Sequence, residues 1–444
     1  MVTTAKKLVL IVVDGMTPAA LERAVEGGRA PALALLAEHA HYRRATSVFP
    51  SLTPVCLSSI ATGSFPDTHE IPHLVWWHRK ERRVVEYGSS FAALRAAGMA
   101  QSITDTIFNM NQKHLGRDAV TVYEALEDTG LVAAAVNITC YRGRAKHLPT
   151  LPWVTKAAYG PKRFFYYSLF ESDPTGAPLA VRNRAGGSID AYAAAVGRWL
   201  VTRDGFDFLA YYLSDFDYAS HAYGPEGADD VALARTDAAI DALLDAAGGA
   251  DAFLERYAVI LLSDHGQTQV ERAAQLEAPL GAYADSIVAL GSNRAGQVYL
   301  LPDARVDAGM LAVALDGVAS VETTLRLEGG EAVARREREE LRFRPSADGW
   351  ETSGDVMLLD HPDALRRSWL ALANPNAGEL LVSAAPGWEF ADLGGRHHAG
   401  GGSHGSLIEG DSVVPVLTVG IEAAIESITD VTPAVLSHFG ALVV

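Results

Sequence analysis

The chain has 444 residues, 49% of them hydrophobic and 20% charged, with a formal net charge of −17. This length suffices for one large domain with an elaboration or for two to three ordinary domains, and the composition is that of a globular protein. The negative charge argues against nucleic acid and against an anionic membrane surface as partners, because both attract clustered Lys and Arg. An anionic substrate would need cations supplied locally, for instance by bound metal.

Six short apolar runs predict β-strands followed by turns and helical patterns. The runs cover residues 8–15, 131–139, 206–217, 257–266, 379–388 and 413–420. Near-continuous apolar strands that alternate with helices are typical of a sheet covered on both faces. The predicted fold class is therefore α/β, with a mostly parallel central sheet and helices on both faces. In such sheets, ligands bind beyond the carboxyl ends of the strands.

The N-terminal run "AKKLVLIVVDG" superficially resembles a signal peptide, but its apolar part covers only residues 8–13 and is too short for one. We therefore expect a buried strand there. No run approaches the length of a membrane span, so no membrane partner is expected. The two cysteines, Cys56 and Cys140, indicate no disulfide framework. A reducing compartment fits this best, and the predicted location is cytoplasmic.

Two helices and two unusual segments are also predicted. Thr17 followed by Pro18 marks the start of one helix, and Pro31 marks the start of the next. Residues 303–378 combine short amphipathic pieces, a Gly-Gly turn and dense charge, which predicts a small α+β insertion beside a main domain of residues 1–302 plus 379–444. The aromatic-rich segment 141–190 is predicted to form a lid or a pocket wall.

Carboxylate and imidazole side chains stand at the ends of three predicted strands and in one glycine-rich loop. They are Asp14 after the first run, Asp217 after the third with His221 four residues later, Asp264 and His265 after the fourth, and His404 in "GGGSHGSL". This mixture of ligands suits zinc, manganese or iron. Each piece alone is a weak signal, but together they lie where an α/β sheet places its site. The sequence therefore predicts a metal centre with one or two sets of three or four ligands.

The stretch "VFPSLTPVCLSSIATG" contains several hydroxyl side chains and one thiol, any of which is a candidate nucleophile. Thr53 precedes Pro54 and a helical run, which predicts Thr53 as the N-cap and Pro54 as the first helical residue. A hydroxyl at a helix N-terminus faces free N–H groups and the positive end of the helix dipole, which favour an alkoxide or a bound phosphoryl group. In isolation the pattern is more often an ordinary cap. The metal ligands predicted nearby favour Thr53 as a nucleophile over an ordinary cap.

The ordered set of motifs resembles the alkaline phosphatase superfamily and, within it, the type I phosphodiesterase/nucleotide pyrophosphatase family. The motifs are "VVDG", "FPSLTPVCLSSIATGSFPDTHEI", "DYASHAYGP", "LLSDHG", "GGSHG" and "ITDVTPAVLSHFG". The resemblance extends over nearly the whole chain. It implies an alkaline phosphatase-like catalytic domain with the predicted α+β insertion.

The resemblance also implies a hydrolase with two divalent metal ions, usually zinc, with manganese as an alternative. One ion would be held by Asp14, Thr53, Asp264 and His265, and the other by Asp217, His221 and His404. Thr53 would be the catalytic nucleophile. The expected reaction is cleavage of a phosphodiester or pyrophosphate bond of a small molecule through a phosphothreonine intermediate.

The sequence departs from the diesterase pattern next to Thr53. Pro54 and Cys56 stand where that branch carries an aromatic residue and an Asn, which help to hold a nucleobase and a phosphoryl oxygen. Tyr212 matches an aromatic residue of the pocket wall. The loop after "THEI" contains His73 and Arg79, which would bind a second anionic group or simply pack at the surface. Cys56, Tyr212, His73 and Arg79 are therefore the predicted substrate-binding residues.

These departures leave alternatives open. A phosphomonoesterase or a phosphonoacetate-type C–P hydrolase would use the same site. A homologue that binds metal and anions without catalysis is the alternative of another class, although all seven predicted ligands are present. A sulfatase is disfavoured because the residues that begin at Cys56 do not form the Cys-x-Pro-x-Arg pattern.

Overall fold

The computed structural model describes residues 5–151, 155–172 and 188–441. Among the helices of these ranges, none has both the length and the apolar character needed to cross a bilayer. The strands are β1 (Lys7–Val13), β2 (His41–Thr46), β3 (Val75–His78), β4 (Arg83–Glu86), β5 (Ala133–Val136), β6 (Ala145–His147), β7 (Ala158–Gly160), β8 (Arg163–Tyr166), β9 (Phe170–Ser172), β10 (Phe208–Leu213), β11 (Tyr257–Leu262), β12 (Thr268–Gln269), β13 (Arg272–Ala274), β14 (Ile287–Ser292), β15 (Ala295–Leu300), β16 (Val321–Glu328), β17 (Glu331–Arg336), β18 (Glu339–Ser346), β19 (Gly349–Ser353), β20 (Leu380–Ala384), β21 (Trp388–Phe390), β22 (Gly402–Ser403) and β23 (Val413–Val419).

Helices separate several of these strands. The α-helices are α1 (Pro18–Glu26), α2 (Pro31–His39), α3 (Thr53–Thr62), α4 (Pro66–His69), α5 (Phe91–Ala97), α6 (Met99–Thr104), α7 (Val122–Asp128), α8 (Ile189–Thr202), α9 (Asp215–Val231), α10 (Leu233–Ala247), α11 (Ala250–Arg256), α12 (Ala308–Leu315), α13 (Ala364–Leu372), α14 (Glu409–Ser412) and α15 (Val431–His438). A π-helical segment covers Asp105–His114, and 3-10 turns cover Ala278–Tyr283, Val356–Leu359 and Ile428–Asp430.

The central sheet has the order β2-β23-β11-β1-β10-β5-β8-β9. The strands β11, β1, β10, β5 and β8 run parallel to one another. Strand β23 is antiparallel to β11 and β2, and β9 is antiparallel to β8. The predicted α/β class with a mostly parallel sheet is therefore confirmed. Because parallel strands end at the same edge, the loops that follow β1, β10 and β11 meet there.

Strand β1 explains why the predicted strands are nearly continuous apolar runs. Its even-numbered residues from Leu8 to Val12 enter one hydrophobic core with residues of α3, α7 and α15. Its odd-numbered residues from Val9 to Val13 enter a second core with residues of α1, α2, α8 and α10. Since successive side chains of a strand point to opposite faces, both faces of this strand must be apolar.

A second, antiparallel sheet has the order β14-β15-β20-β16-β17-β18-β19. The run 379–388, predicted for the central sheet, contributes β20 to this one, which corrects the prediction. Because strand β20 is buried on both faces, its sequence pattern resembles that of a central parallel strand. The insertion predicted at 303–378 contains β16 to β19, which share their sheet with β14, β15 and β20 from outside that range. The domain boundaries therefore stay a prediction.

The first two predicted helices begin as expected. The Thr17 side chain accepts a hydrogen bond from the backbone N–H of Ala20 at 3.1 Å, and Pro18 opens α1. Pro31 likewise opens α2. The predicted run 206–217 ends earlier as a strand, at Leu213, and Asp217 lies in the first turn of α9.

Candidate active site

Two loops at the carboxyl edge of the central sheet bring three predicted ligands together. Asp14 directly follows β1, and Asp264 and His265 follow β11 after one residue. Nε2 of His265 lies 3.2 Å from Oδ1 of Asp14 and 3.5 Å from Oδ2 of Asp264. One ligand atom from each of the three lies within 4.8 Å of the other two.

The remaining ligands come from α9 and from the loop after β22. Asp217 and His221 lie one helical turn apart, with Nε2 of His221 3.3 Å from Oδ2 of Asp217. Nε2 of His404 is 3.9 Å from Oδ1 of Asp217. Ligand atoms of Asp217, His265 and His404 also lie within 4.8 Å of one another. His265 and His404 stack, with ring centroids 3.6 Å apart, so the two predicted ligand sets adjoin.

All three histidines present the same nitrogen to the site. Nδ1 of His221 lies 2.8 Å from the Gly402 carbonyl, Nδ1 of His265 lies 3.0 Å from that of Gly266, and Nδ1 of His404 lies 2.7 Å from that of Ser51. A carbonyl oxygen only accepts, so each Nδ1 carries a hydrogen, and Nε2 is the nitrogen that can offer its lone pair to a metal when the ring is neutral. This is the tautomer and orientation that a histidine needs to bind a metal through Nε2.

The carboxyl groups of the cluster are buried close to one another. Burial raises the pKa of Asp14 well above its usual range, and the neighbouring Asp217 and Asp264 raise it further. Burial likewise raises the pKa of Asp264. Burial also opposes ionisation of Asp217, but His221 holds the pKa of that carboxyl below its usual range. Among the described residues, Oδ1 of Asp14 and Oδ2 of Asp264 have no hydrogen-bond partner. Buried, unpartnered carboxylate oxygens facing imidazole lone pairs fit divalent cations such as zinc.

Thr53 lies beside this cluster, one position away from its predicted place in the helix. The N-cap of α3 is Leu52, with φ −113° and ψ 138°, and Thr53 is the first helical residue. The reason is that the backbone N–H groups of Val55 and Cys56 both bond to the Leu52 carbonyl. The Thr53 side chain therefore does not cap the helix, and its Oγ1 lies 3.2 Å from Nε2 of His265.

A cavity of about 720 Å³ opens above the cluster, and its lining includes Asp14, Thr53, Asp217, His221, His404 and Tyr212. Tyr166 and Tyr167 also line it. Both belong to the segment 141–190 predicted as a lid or pocket wall. Residues 152–154 and 173–187 of that segment lie outside the described residues, so its role as a lid stays a prediction.

Of the four predicted substrate-binding residues, Tyr212 reaches the cavity and the other three do not. Sγ of Cys56 is fully buried, 3.2 Å from Oγ of Ser47, which donates to the Asp264 carbonyl. His73 is buried and accepts from the backbone of the next strand at 3.1 Å. Arg79 lies 2.8 Å from Glu379 in an ion pair at the second sheet.

Three residues that sequence reasoning missed contact the predicted ligands. Gln267 donates its side-chain amide to Asp217. Nδ2 of Asn293 lies 2.9 Å from Nε2 of His404. The ring of His398 stacks on His221 with centroids 3.9 Å apart. The position of Gln267, three residues after Asp264, was a weak signal, whereas the other two reach the site through tertiary packing alone.

Comparisons with known proteins agree with this fold and site. The family model "Type I phosphodiesterase / nucleotide pyrophosphatase" matches residues 8–407, and the chain belongs to that family. The predicted membership of the alkaline phosphatase superfamily is thereby confirmed. The family consists of phosphoryl hydrolases that are generally metal-dependent. No curated protein matches the chain in sequence.

Two solved structures are similar over nearly the full length of both chains. Phosphonoacetate hydrolase from Sinorhizobium meliloti 1021, in complex with phosphonoformate, is 18% identical with a TM-score of 0.63, and the alignment covers 99% of this chain and 96% of that one. An inactive murine ectonucleotide pyrophosphatase/phosphodiesterase 5 in complex with AMP is 14% identical with a TM-score of 0.62 and the same coverage. At these identities the likeness establishes the shared fold.

Proposed function

We propose that the chain is a two-metal phosphohydrolase that cleaves a phosphodiester or pyrophosphate bond of a small molecule, with Thr53 as the nucleophile. One observation carries the proposal. Asp14, Asp217, His221, His404 and Thr53 line one cavity of about 720 Å³. Asp264 and His265 lie against Asp14, with ligand atoms of the three residues within 4.8 Å of one another. The bound phosphonoformate and AMP of the two similar structures support a small phosphoryl substrate.

Two divalent cations, zinc or else manganese, would lower the pKa of the Thr53 hydroxyl and stabilise the attacking and leaving oxygens when bound. Asp14, Thr53, Asp264 and His265 would hold one, and Asp217, His221 and His404 the other. The carbonyls of Gly402, Gly266 and Ser51 keep the three imidazoles in the tautomer that this requires.

The reaction proceeds in two steps through Thr53. Oγ1 of Thr53 gives up its proton to water and attacks phosphorus, the bond to the leaving oxygen breaks, and that oxygen takes a proton from water. A phosphothreonine results. Water then attacks the same phosphorus, which releases the phosphate product and returns the hydroxyl to Thr53. The position of Thr53 at the start of α3 supports the first step, because the positive end of the helix dipole favours negative charge on its oxygen.

The mature protein is proposed to act in the cytoplasm, on the basis of the two buried free cysteines and the acidic composition. The phosphomonoesterase and phosphonoacetate-type alternatives use the same nucleophile and ligands. Comparing kcat/KM for a phosphate monoester, a phosphodiester and phosphonoacetate separates the three reactions, and the diester is expected to give the highest value.

The nucleophile is tested with bis(p-nitrophenyl) phosphate in the presence of zinc or manganese. We expect Thr53→Ala to lower kcat by at least about a thousandfold, because no other group replaces the attacking oxygen. Thr53→Ser keeps a hydroxyl and should retain measurable turnover. Quenching wild-type reactions with acid should leave a phosphoryl group on the peptide that contains Thr53. A Thr53→Ala variant with the wild-type rate would show that the assignment is wrong.

The non-catalytic alternative is tested by elemental analysis after zinc loading. The proposal expects two metal ions per chain. Two ions per chain with no turnover of any of the three substrates would instead favour a protein that binds metal and anions without catalysis. Fewer than one ion per chain would contradict both.

A further inference from the structure

Glu389 is a fully buried carboxylate, and both of its oxygens accept hydrogen bonds from one histidine, His398. It lies in β21 and has no exposed surface. Its Oε2 is 3.0 Å from Nδ1 of His398, and its Oε1 accepts from the backbone N–H of the same residue. Burying a carboxylate is costly unless it is paired and hydrogen-bonded. The pairing therefore fixes both the ring and the backbone of His398.

The loop that begins at His398 packs directly on the predicted ligand His221. The two rings stack, with centroids 3.9 Å apart and planes at 27°. The Gly402 carbonyl of this loop lies 2.8 Å from Nδ1 of His221. At Gly401 the approach is so close that an added Cβ would stand 2.0 Å from the His221 carbonyl oxygen. One face and one edge of the His221 ring are thus set by this loop.

Helix α9 itself holds His221 weakly. The helix is interrupted at Gly224, with φ 82° and ψ 164°, and Pro225 follows. Proline and a non-helical glycine remove the hydrogen bonds that would continue the turn after His221. Contacts from outside the helix must therefore fix the ring.

We propose that Glu389 and His398 are positioning residues for His221, and that they determine how tightly the cation at Asp217, His221 and His404 is held. The inference rests on the metal site of the proposed function. Glu389 anchors the loop through His398, and the loop orients Nε2 of His221 toward Asp217, 3.3 Å away. Partners that orient a ligand histidine in this way commonly change metal affinity when they are removed.

The test is a zinc titration of the metal-stripped full chain against a chromophoric chelator. Wild type should bind two zinc ions. In His398→Ala, we expect one of the two to bind about 10- to 100-fold more weakly and the other to be unchanged. His398→Phe keeps a ring against His221 but leaves Oε2 of Glu389 without its partner, so it should restore only part of the affinity. Glu389→Gln places an amide N–H opposite the Nδ1–H of His398, so it should lower the affinity for the same zinc ion.

His397→Ala is the matched control, because it removes the neighbouring histidine of the same loop. It should leave both zinc affinities unchanged, and an equal effect of His397→Ala would overturn the inference. So would unchanged affinities in a folded His398→Ala variant. At saturating zinc, kcat of His398→Ala should return to the wild-type value; a kcat that stays low would mean that His398 acts on the substrate instead. If wild type itself binds fewer than two zinc ions, the proposed function fails rather than this inference.

Discussion

The phenol of Tyr212 donates a hydrogen bond to Oδ2 of Asp14 across two neighbouring strands. Val12 in β1 and Tyr212 in β10 are register partners, so the tyrosine stands beside the residues that follow β1. This hydrogen bond favours the ionised form of Asp14 and lowers its pKa, against the burial that raises it. Tyr212 therefore supports the anionic state in which Asp14 can bind a cation.

We expect Tyr212→Phe to weaken metal binding and activity by about 10- to 100-fold while the fold remains intact, because Asp14 loses the partner that orients it. The measurements are zinc affinity and kcat/KM. Tyr211→Phe is the matched control. Its hydroxyl lies on the opposite face of β10 and donates to the Ala239 carbonyl at 3.0 Å, so its loss should cost about 1 kcal/mol of stability without changing activity. Equal activity loss in both variants would contradict the assigned role.

Gly15 allows two segments of the site to approach each other closely. Its φ is +69°, and an added Cβ would stand 2.8 Å from Nε2 of Gln267 and 3.0 Å from Oδ1 of Asp217. We expect Gly15→Ala to displace Asp217 and to lower zinc affinity and activity by about tenfold or more. Gly28→Ala is the control, since Gly28 has a similar φ of +63° and no atom near the added Cβ. It should cost about 1 kcal/mol of stability and leave zinc affinity unchanged.

Much of the site could be predicted from the sequence because strand ends are local features. Asp14 and Asp264 each follow an apolar run, and parallel strands must bring such residues to one edge. The position of Thr53 was predicted one residue away from its place in α3. A Thr-Pro pair fits both the N-cap and the first turn, and only the hydrogen bonds to the Leu52 carbonyl decide between them.

The rest depends on contacts between distant segments. Asn293 and His404 are 111 residues apart, and nothing in the local pattern of either indicates that they meet. The run 379–388 was assigned to the wrong sheet because a buried antiparallel strand and a buried parallel strand have the same apolar composition. Cys56 was predicted at the cavity from its spacing to Thr53, but its thiol is buried against Ser47 and does not line the cavity.

A buried ion pair supports the loop that carries His404. Arg294 and Asp411 are both fully buried and lie 2.9 Å apart. Asp411 also accepts from the backbone and side chain of Ser406, and the backbone of Arg294 donates to the His404 carbonyl at 2.8 Å. Removing one partner leaves the other charge buried and without its counterion.

We expect Asp411→Ala to lower the free energy of unfolding by about 3–5 kcal/mol and to reduce activity through the His404 loop. Adding Arg294→Met to this variant removes the lone charge, so the double variant should be more stable than Asp411→Ala alone. Asp230→Ala breaks an exposed pair with Arg29 and should cost less than about 1 kcal/mol. Urea unfolding of the four proteins measures the differences. A double variant less stable than the single one would show that the charge is not the cause.

The stability of the folded chain depends on pH through Glu86. It is fully buried, its Oε1 accepts from the backbone N–H groups of Gly88 at 2.8 Å and Ser89 at 2.6 Å, and its Oε2 has no partner among the described residues. Burial raises its pKa from an ordinary value of 4.5 to about 7. The folded chain therefore keeps this proton over a pH range in which the unfolded chain has released it.

Because the folded state keeps the Glu86 proton longer than the unfolded state, stability falls as the pH rises. Below the unfolded pKa, Glu86 is neutral in both states and costs nothing. As the pH rises through the folded pKa of about 7, the folded state must carry a buried charge, and stability falls by roughly 3 kcal/mol in total. Glu86→Gln is neutral at every pH, and its side-chain carbonyl can still accept from both N–H groups. We expect its Tm to match wild type near pH 4.5 and to exceed it at pH 8, as measured by thermal unfolding. A Tm difference that is the same at both values would mean that folding does not shift the pKa of Glu86.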